Sequence, residues 1–190
     1  ETKPCHIIGI DIREDLVKHS KELSQRLDFS NMQFFQLSVE ESLNSAHLPN
    51  QVDIVTALHA CNTATDDAIR FALGKNARHI VLVPCCQAEV AGALRANKGI
   101  ELKRNTLAEI WRHPIHTREF GSHITNVLRC LQLEAHGYNV TVTELVGWEH
   151  SMKNELIIAS KGKDPKLAMR AREKLNILLT DLNLEALKER

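Results

Sequence analysis

The chain has 190 residues, which is enough for one domain of ordinary size. Hydrophobic residues make up 43% and charged residues 25%, which excludes a disordered chain and a collagen-like one. Lys and Arg together number 24, as do Asp and Glu, so a nucleic-acid partner would require a local basic patch. No apolar run approaches the roughly 18 residues of a membrane-spanning helix, and we expect no membrane partner.

The cysteines predict reduced thiols rather than a disulfide framework. Their number is odd, the chain is not small and no signal-peptide pattern is present, so we expect a cytoplasmic protein. The five are Cys5, Cys61, Cys85, Cys86 and Cys130.

Strand-like and helix-like segments alternate through the first 84 residues. Short apolar runs predict strands over 5–10, 32–37, 52–58 and 79–83. Helices are predicted over 13–29 and from Thr63 to Gly74, with Thr63 and Asp66 spaced as in a capping box. This alternation predicts an α/β fold with a parallel sheet and helices on both faces.

The second half of the chain predicts helices followed by a hairpin. Helix 118–136 ends at Gly137, whereas Pro114 would end any helix begun at a Thr106–Glu109 capping box. Strands are predicted over 138–146 and 155–159, and their short polar connection predicts antiparallel pairing. A last helix begins at Asp164 and Pro165. We expect one domain over 1–160 and a helical extension over 161–190 that serves packing or oligomer contact.

The order of elements and two motifs resemble class I S-adenosylmethionine-dependent methyltransferases, whose Rossmann-like parallel sheet ends in an antiparallel hairpin. Residues 6–11 (HIIGID) look like the second strand of that fold. The pairing of 58–61 (LHAC) and 64–66 (ATD) with 84–86 (PCC) resembles one methyltransferase family, and it is similar to motifs of a eukaryotic tRNA ribose methyltransferase. The resemblance covers about residues 5–160, and Asn62 departs from the Gly or Asp that is common there.

The resemblance implies S-adenosyl-L-methionine as cofactor and assigns residues to it. Asp11 would bind the ribose hydroxyls and Ile12 would lie beside the adenine. Ser38 and Val39 would present backbone groups to the adenine, and Leu58 would complete the set. As alternatives, Asp11 is a good helix N-cap residue, and Ser38 with Val39 fits an ordinary strand-to-helix turn.

One part of the family pattern is absent from the sequence. The first strand and its glycine-rich loop should precede His6, yet only five residues do so, and no GxGxG occurs elsewhere. We therefore expect these residues to be the carboxyl-terminal part of a longer protein. On its own the chain is expected to bind the cofactor poorly.

His59 is the candidate catalytic residue because it follows a predicted strand at the sheet edge where open α/β sheets bind ligands. Its imidazole could take a proton from a hydroxyl or amine, or it could orient the loop by a backbone hydrogen bond. His59 with Cys61, Cys85 and Cys86 offers four zinc ligands. We nevertheless expect no metal, because adjacent cysteines chelate poorly and CxxC spacing is absent. His113, His116 and His123 match no metal-binding spacing either.

A basic segment over 95–123 makes RNA a candidate partner. It carries three Glu and Trp111 beside six cations, namely Arg95, Lys98, Lys103, Arg104, Arg112 and Arg118. A solvated helix surface is the alternative. The sequence thus predicts methyl transfer to an oxygen or nitrogen nucleophile, with a non-catalytic binding or scaffold module as the other reading. The hairpin disfavours nicotinamide-dependent redox chemistry.

Overall fold

The computed structural model describes residues 5–58, 60, 63–84, 89–96, 110, 112–147, 149 and 154–188. The chain forms two compact units, Glu1–Asn50 and Gln51–Arg190, and each is considered by itself. The boundary predicted at residue 160 stays a prediction.

The first unit is a β–α–β arrangement followed by a short helix. Strands β1 (Ile7–Asp11) and β2 (Met32–Gln36) pair in parallel and are joined by α1 (Glu14–Arg26). Acidic residues begin α1 and Arg26 ends it, which suits the helix dipole. Helix α2 (Val39–Asn44) follows β2, and the sequence analysis gave no bounds for it beyond the alternative of a strand-to-helix turn at Ser38 and Val39. The predicted parallel pairing is confirmed in this unit.

The second unit contains a four-stranded mixed sheet. Strands β3 (Ile54–Leu58) and β4 (His79–Val83) pair in parallel. Strands β5 (Tyr138–Glu144) and β6 (Glu155–Lys161) form the predicted antiparallel hairpin. Because β6 also pairs antiparallel with β4, the order is β3-β4-β6-β5. Hydrogen bonding therefore divides the described strands into two sheets of two and four strands.

In the described part of this unit, four α-helices pack against the sheet or against one another. Helix α3 (Ala64–Gly74) follows β3 and α4 (Glu89–Ala96) follows β4, while α5 (Pro114–Ala135) and α6 (Pro165–Asp181) flank the hairpin in sequence. Helix α5 begins four residues before the predicted start, because Pro114 occupies its first turn, where a missing N–H costs nothing. The Thr106–Glu109 capping box lies outside the described residues.

Two hydrophobic clusters hold the second unit together. The first packs α3 and α5 against the sheet, and its fully buried members include Ile69, Ile80, Leu82, Leu133 and Ile157. In the second, the buried residues Val90 and Leu94 of α4, Leu179 of α6 and Leu184 just after it pack against Phe120, Ile124 and Leu128 of α5. Helix α6 is thus packed inside this unit. Among the described helices, none combines the length and apolar character needed to cross a membrane.

Candidate functional site

Asp11 ends β1 at the carboxyl edge of the first sheet. Its Oδ1 atom accepts a hydrogen bond from the Arg13 backbone N–H at 2.8 Å, and the Arg13 Nε lies 3.6 Å away. Within the described residues no hydrogen bond reaches Oδ2, and the side chain is 40% exposed. One carboxylate oxygen is therefore open to accept hydroxyl hydrogen bonds, as a ribose-binding acid requires. Ile12 follows with an exposed side chain.

Ser38 forms a capping box at the start of α2, and this feature was missed in the sequence. Its backbone N–H and its Oγ both donate to Glu41 Oε2 at 2.8 Å, and the Glu41 N–H donates to Ser38 Oγ at 3.2 Å. The two hydrogen bonds that the Glu41 carboxylate accepts, first from the Ser38 backbone N–H and then from its Oγ, lower the pKa of Glu41. The ordinary strand-to-helix turn left open as an alternative is thus present. Because the Ser38 N–H is already used, a backbone contact with adenine would fall to Val39.

The candidate residues of the second unit follow β3. Leu58 ends that strand with its side chain 62% exposed. His59 and Cys61 lie outside the described residues, as do Cys85 and Cys86 after β4. Their roles stay predictions. Ala60 is described, and its carbonyl oxygen accepts a hydrogen bond from Thr65 Oγ1 at 2.5 Å.

The capping box predicted for α3 is wrong. Thr63 has helical backbone angles, and its side chain makes no capping hydrogen bond. Asp66 instead accepts two hydrogen bonds from Arg129 of α5, from Nε to Oδ1 at 2.8 Å and from Nη2 to Oδ2 at 2.7 Å. The side chains are only 2% (Arg129) and 10% (Asp66) exposed. A bidentate guanidinium–carboxylate pair away from water is stronger than a capping hydrogen bond to a backbone N–H, so Asp66 binds Arg129 rather than capping α3.

The ion pair continues into a network that joins three elements. Arg129 Nη1 donates to Asn126 Oδ1 at 3.2 Å, and Asn126 Nδ2 donates to Glu155 Oε2 at 2.7 Å. Asp66 lies in the first turn after β3, and Glu155 begins β6 just beyond the carboxyl end of β4. The network therefore underlies the edge of the sheet to which the sequence assigned the reaction.

Cys130 lies beside this network, and its surroundings favour the protonated thiol. Burial is the main cause that raises the pKa of its thiol to about 12, and the nearby Glu155 and Glu134 carboxylates add to the rise. Since the thiolate is the reactive form, Cys130 does not suit nucleophilic or metal-binding work.

The histidine cluster and the basic segment are only partly described. His113 and His116 meet edge to face with ring centroids 5.3 Å apart, and both are exposed. In the part of the chain that the structure covers, no group of three His, Cys, Asp or Glu could hold a metal ion. Of the basic segment, Arg95, Arg112 and Arg118 are exposed, and Arg118 pairs with Glu119 at 2.9 Å.

A groove of about 730 Å³ lies elsewhere in the first unit. It occupies the turn after α1 and the beginning of β2, and Phe29, Phe35 and His47 are among its lining residues. None of the predicted cofactor residues lines it. The groove is therefore separate from the Asp11 edge of the same sheet.

Sequence reasoning missed Arg129, Asn126 and Glu155. A signal was available, because Arg129 stands four residues from Thr125 and from Leu133, both on the buried face of α5. An arginine on such a face requires a buried acidic partner. Which acid it meets depends on tertiary packing, since Asp66 is 63 residues away.

Comparison with known proteins finds relatives that are longer than this chain and one family of domains that matches part of it. The relatives are glutathione S-transferase C-terminal domain-containing proteins from Bos taurus (27% identical), Mus musculus (25%) and, as a homolog, Drosophila pseudoobscura pseudoobscura (23%). Each alignment covers 81% of this chain but only 26%, 26% and 29% of the respective relative. The chain thus spans between a quarter and a third of their length.

Residues 1–93 match the model of a family described as a methyltransferase domain. The matched residues contain β1 to β4, including Asp11, the capping box of α2 and the turn after β3. The α/β order of strands and helices agrees with such a fold. This match supports a methyltransferase domain in this part of the chain.

Proposed function

We propose that the chain is part of an S-adenosylmethionine-dependent methyltransferase that acts on an oxygen or nitrogen nucleophile. The observation that carries the proposal is the family match over residues 1–93, within which Asp11 ends β1 with one open carboxylate oxygen. An acid at this strand end is the group that ribose hydroxyls require.

The cofactor-binding set in the proposal is Asp11, Ile12, Ser38, Val39 and Leu58. Asp11 would accept hydroxyl hydrogen bonds through Oδ2 while Arg13 keeps Oδ1 fixed. Ile12 is exposed and offers an apolar surface to a purine. When bound, the cofactor supplies an electrophilic methyl group. The chain's part in the chemistry is to orient the nucleophile, with His59 accepting its proton.

RNA is the acceptor class that we propose, because of the resemblance to a tRNA ribose methyltransferase and the basic segment over 95–123. The names of the relatives do not bring glutathione chemistry to this chain, since the alignment leaves about seven tenths or more of each relative unmatched. Nothing in the described site favours a thiol substrate over a hydroxyl or an amine.

Cofactor binding is the direct test, measured by titration calorimetry. The glycine-rich cradle is absent from the 190 residues, and within the described residues β1 pairs with β2 alone. The titration therefore compares this chain with a protein extended by the glycine-rich segment that the resemblance implies. The extended protein should bind at about micromolar dissociation constant, or roughly 8 kcal/mol, and this chain more weakly.

The variant Asp11→Ala should weaken cofactor binding about tenfold or more, because a lost charge-assisted hydrogen bond costs roughly 1.5–3 kcal/mol. Asp15→Ala is the matched control, since Asp15 is an exposed acid in the first turn of α1. Unchanged affinity in the Asp11 variant would remove this residue from the site. If the extended protein does not bind the cofactor, the methyltransferase proposal fails in favour of the scaffold module.

A further inference from the structure

The residues that lead into α6 and its first half carry an excess of positive charge. From Lys161 to Lys174 the sequence has six basic and two acidic residues, although the whole chain is balanced. All six cations are exposed, namely Lys161, Lys163, Lys166, Arg170, Arg172 and Lys174. This local excess lies outside the family-matched residues 1–93.

Three of these cations form a stripe on one face of α6. Lys166, Arg170 and Lys174 are spaced four residues apart, so they follow one another at about 6 Å along the helix. The face that carries Ala171 and Leu179 is buried against the neighbouring helices. We call the three cations the α6 basic stripe.

The stripe is unfavourable for the helix that carries it. Like charges four residues apart repel each other, and Lys166 stands in a first turn that contains no acidic residue, against the helix dipole. Among the described residues no ion pair reaches the stripe. The N-cap Asp164 accepts from the Lys166 backbone N–H and offsets part of the dipole effect, so the conflict that is left is the repulsion among the three side chains. Such a conflict is expected where a surface serves a partner.

We propose that the α6 basic stripe contacts the phosphate backbone of RNA. Unpaired, evenly spaced cations complement a chain of phosphates. A lipid surface fits less well, because the buried face of α6 packs inside the fold and its exposed apolar residues, Leu167, Met169 and Ile177, form no continuous stripe at helical spacing. The choice of RNA rests on the proposed function, and the stripe names the surface that would hold this acceptor.

The test is the salt dependence of RNA binding, measured by fluorescence anisotropy with a labelled oligouridine and no cofactor. The full protein is compared with a variant that carries K166A, R170A and K174A. Each phosphate contact on a single strand contributes about 0.7 to the slope of log affinity against log salt. Loss of three contacts should therefore reduce this slope by about 2 and weaken binding most strongly at low salt.

A second triple variant removes the same charge from another exposed helix. Lys18, Lys21 and Arg26 are exposed on α1, so K18A, K21A and R26A provide the matched control. This variant should keep the slope of the unmodified protein. Equal losses in the two triple variants would mean that only net charge matters, which would overturn the proposal.

A third variant separates the stripe from the basic segment predicted in the sequence. If K103A, R104A and R112A abolish the slope while the stripe variant keeps it, the stripe is not the RNA surface. The proposal also fails if the unmodified protein does not bind RNA, or if the stripe variant loses binding only to phosphatidylserine vesicles. Cofactor titration reports on the proposed function separately, because this RNA measurement requires no methyl transfer.

Discussion

The Asp66–Arg129 ion pair allows a direct test of what stabilises the sheet edge after β3, where the candidate site residues lie. The substitution Asp66→Asn preserves the shape of the side chain and one carbonyl oxygen but removes the charge. Arg129, 2% exposed, would then keep its positive charge in the interior opposite a neutral group. Since Asn126 offers only its neutral amide oxygen at 3.2 Å, it cannot replace the lost charge.

Removing one partner of a buried ion pair typically costs about 3–5 kcal/mol. We expect about 3 kcal/mol here, at the lower end, because the amide oxygen of the substituted side chain can still accept one hydrogen bond from the guanidinium. For a protein of this size, such a loss lowers the melting temperature by about 10 °C. The variant should also expose the Ala60 region to faster amide exchange, since Thr65 binds the Ala60 carbonyl from the same helical turn.

Asp67→Asn is the matched control for this experiment. Asp67 lies in the same first turn of α3, and its partner Arg70 is 3.3 Å away, with the Arg70 side chain exposed and the Asp67 side chain only partly buried. The control loses the same charge near the helix dipole but should cost less than about 1 kcal/mol. Unfolding in urea, followed by circular dichroism, measures both variants. If Asp66→Asn costs no more than Asp67→Asn, the pair does not hold the edge as we infer.

Two further predictions concern packing and pH. A Cβ atom at Gly121 of α5 would lie 2.7 Å from the Ala91 Cβ of α4, so Gly121→Ala should destabilise the protein by about 1–3 kcal/mol in urea unfolding. Gly92→Ala on α4 meets nothing within 4 Å and should instead stabilise it by up to about 1 kcal/mol, and equal effects would contradict this packing. Cys130 has its pKa raised to about 12 from the ordinary value of 9.0, so the folded state holds the thiol proton more tightly. The corresponding stability is complete below about pH 9 and declines toward pH 12, with a slope of at most about 1.4 kcal/mol per pH unit. Cys130→Ala should remove this component from unfolding curves measured on either side of about pH 9, and an identical alkaline decline in the variant would assign it to another group.

The sequence predicted the strands well where local signals were sufficient. The run 79–83 is apolar, β-branched and followed by Pro84, and β4 has these same bounds. The hairpin followed from two strand-like runs joined by a short polar connection, which leaves antiparallel pairing as the simple solution. Asp164 and Pro165 likewise mark the beginning of α6, where the Asp164 carboxylate accepts from the Lys166 N–H at 2.9 Å.

The site was harder to predict because its contacts join distant parts of the chain. The Ser38–Glu41 spacing carries a capping-box signal, but a helix of only 6 residues gives little periodicity to support it. The Thr63–Asp66 spacing carries the same signal and misled us, since Arg129 takes the Asp66 carboxylate. The same capping-box spacing therefore forms a capping box at Ser38–Glu41 but not at Thr63–Asp66, because the buried Arg129 binds the Asp66 carboxylate.

The place of β6 between β4 and β5 has a consequence for the order in which the chain can fold. When β5 leaves the ribosome its partner does not yet exist, and β4 has β3 beside only one edge. Neither β4 nor β5 can complete its hydrogen bonding until β6 is synthesised, because β6 is later in the chain and pairs with one of them on each of its two sides. During this interval the open edge of β4, with Ile80 and Leu82 on the strand, is exposed to pairing with other chains. Completion of β6 closes this edge, so the hairpin that ends the sheet also protects the newly made protein from aggregation.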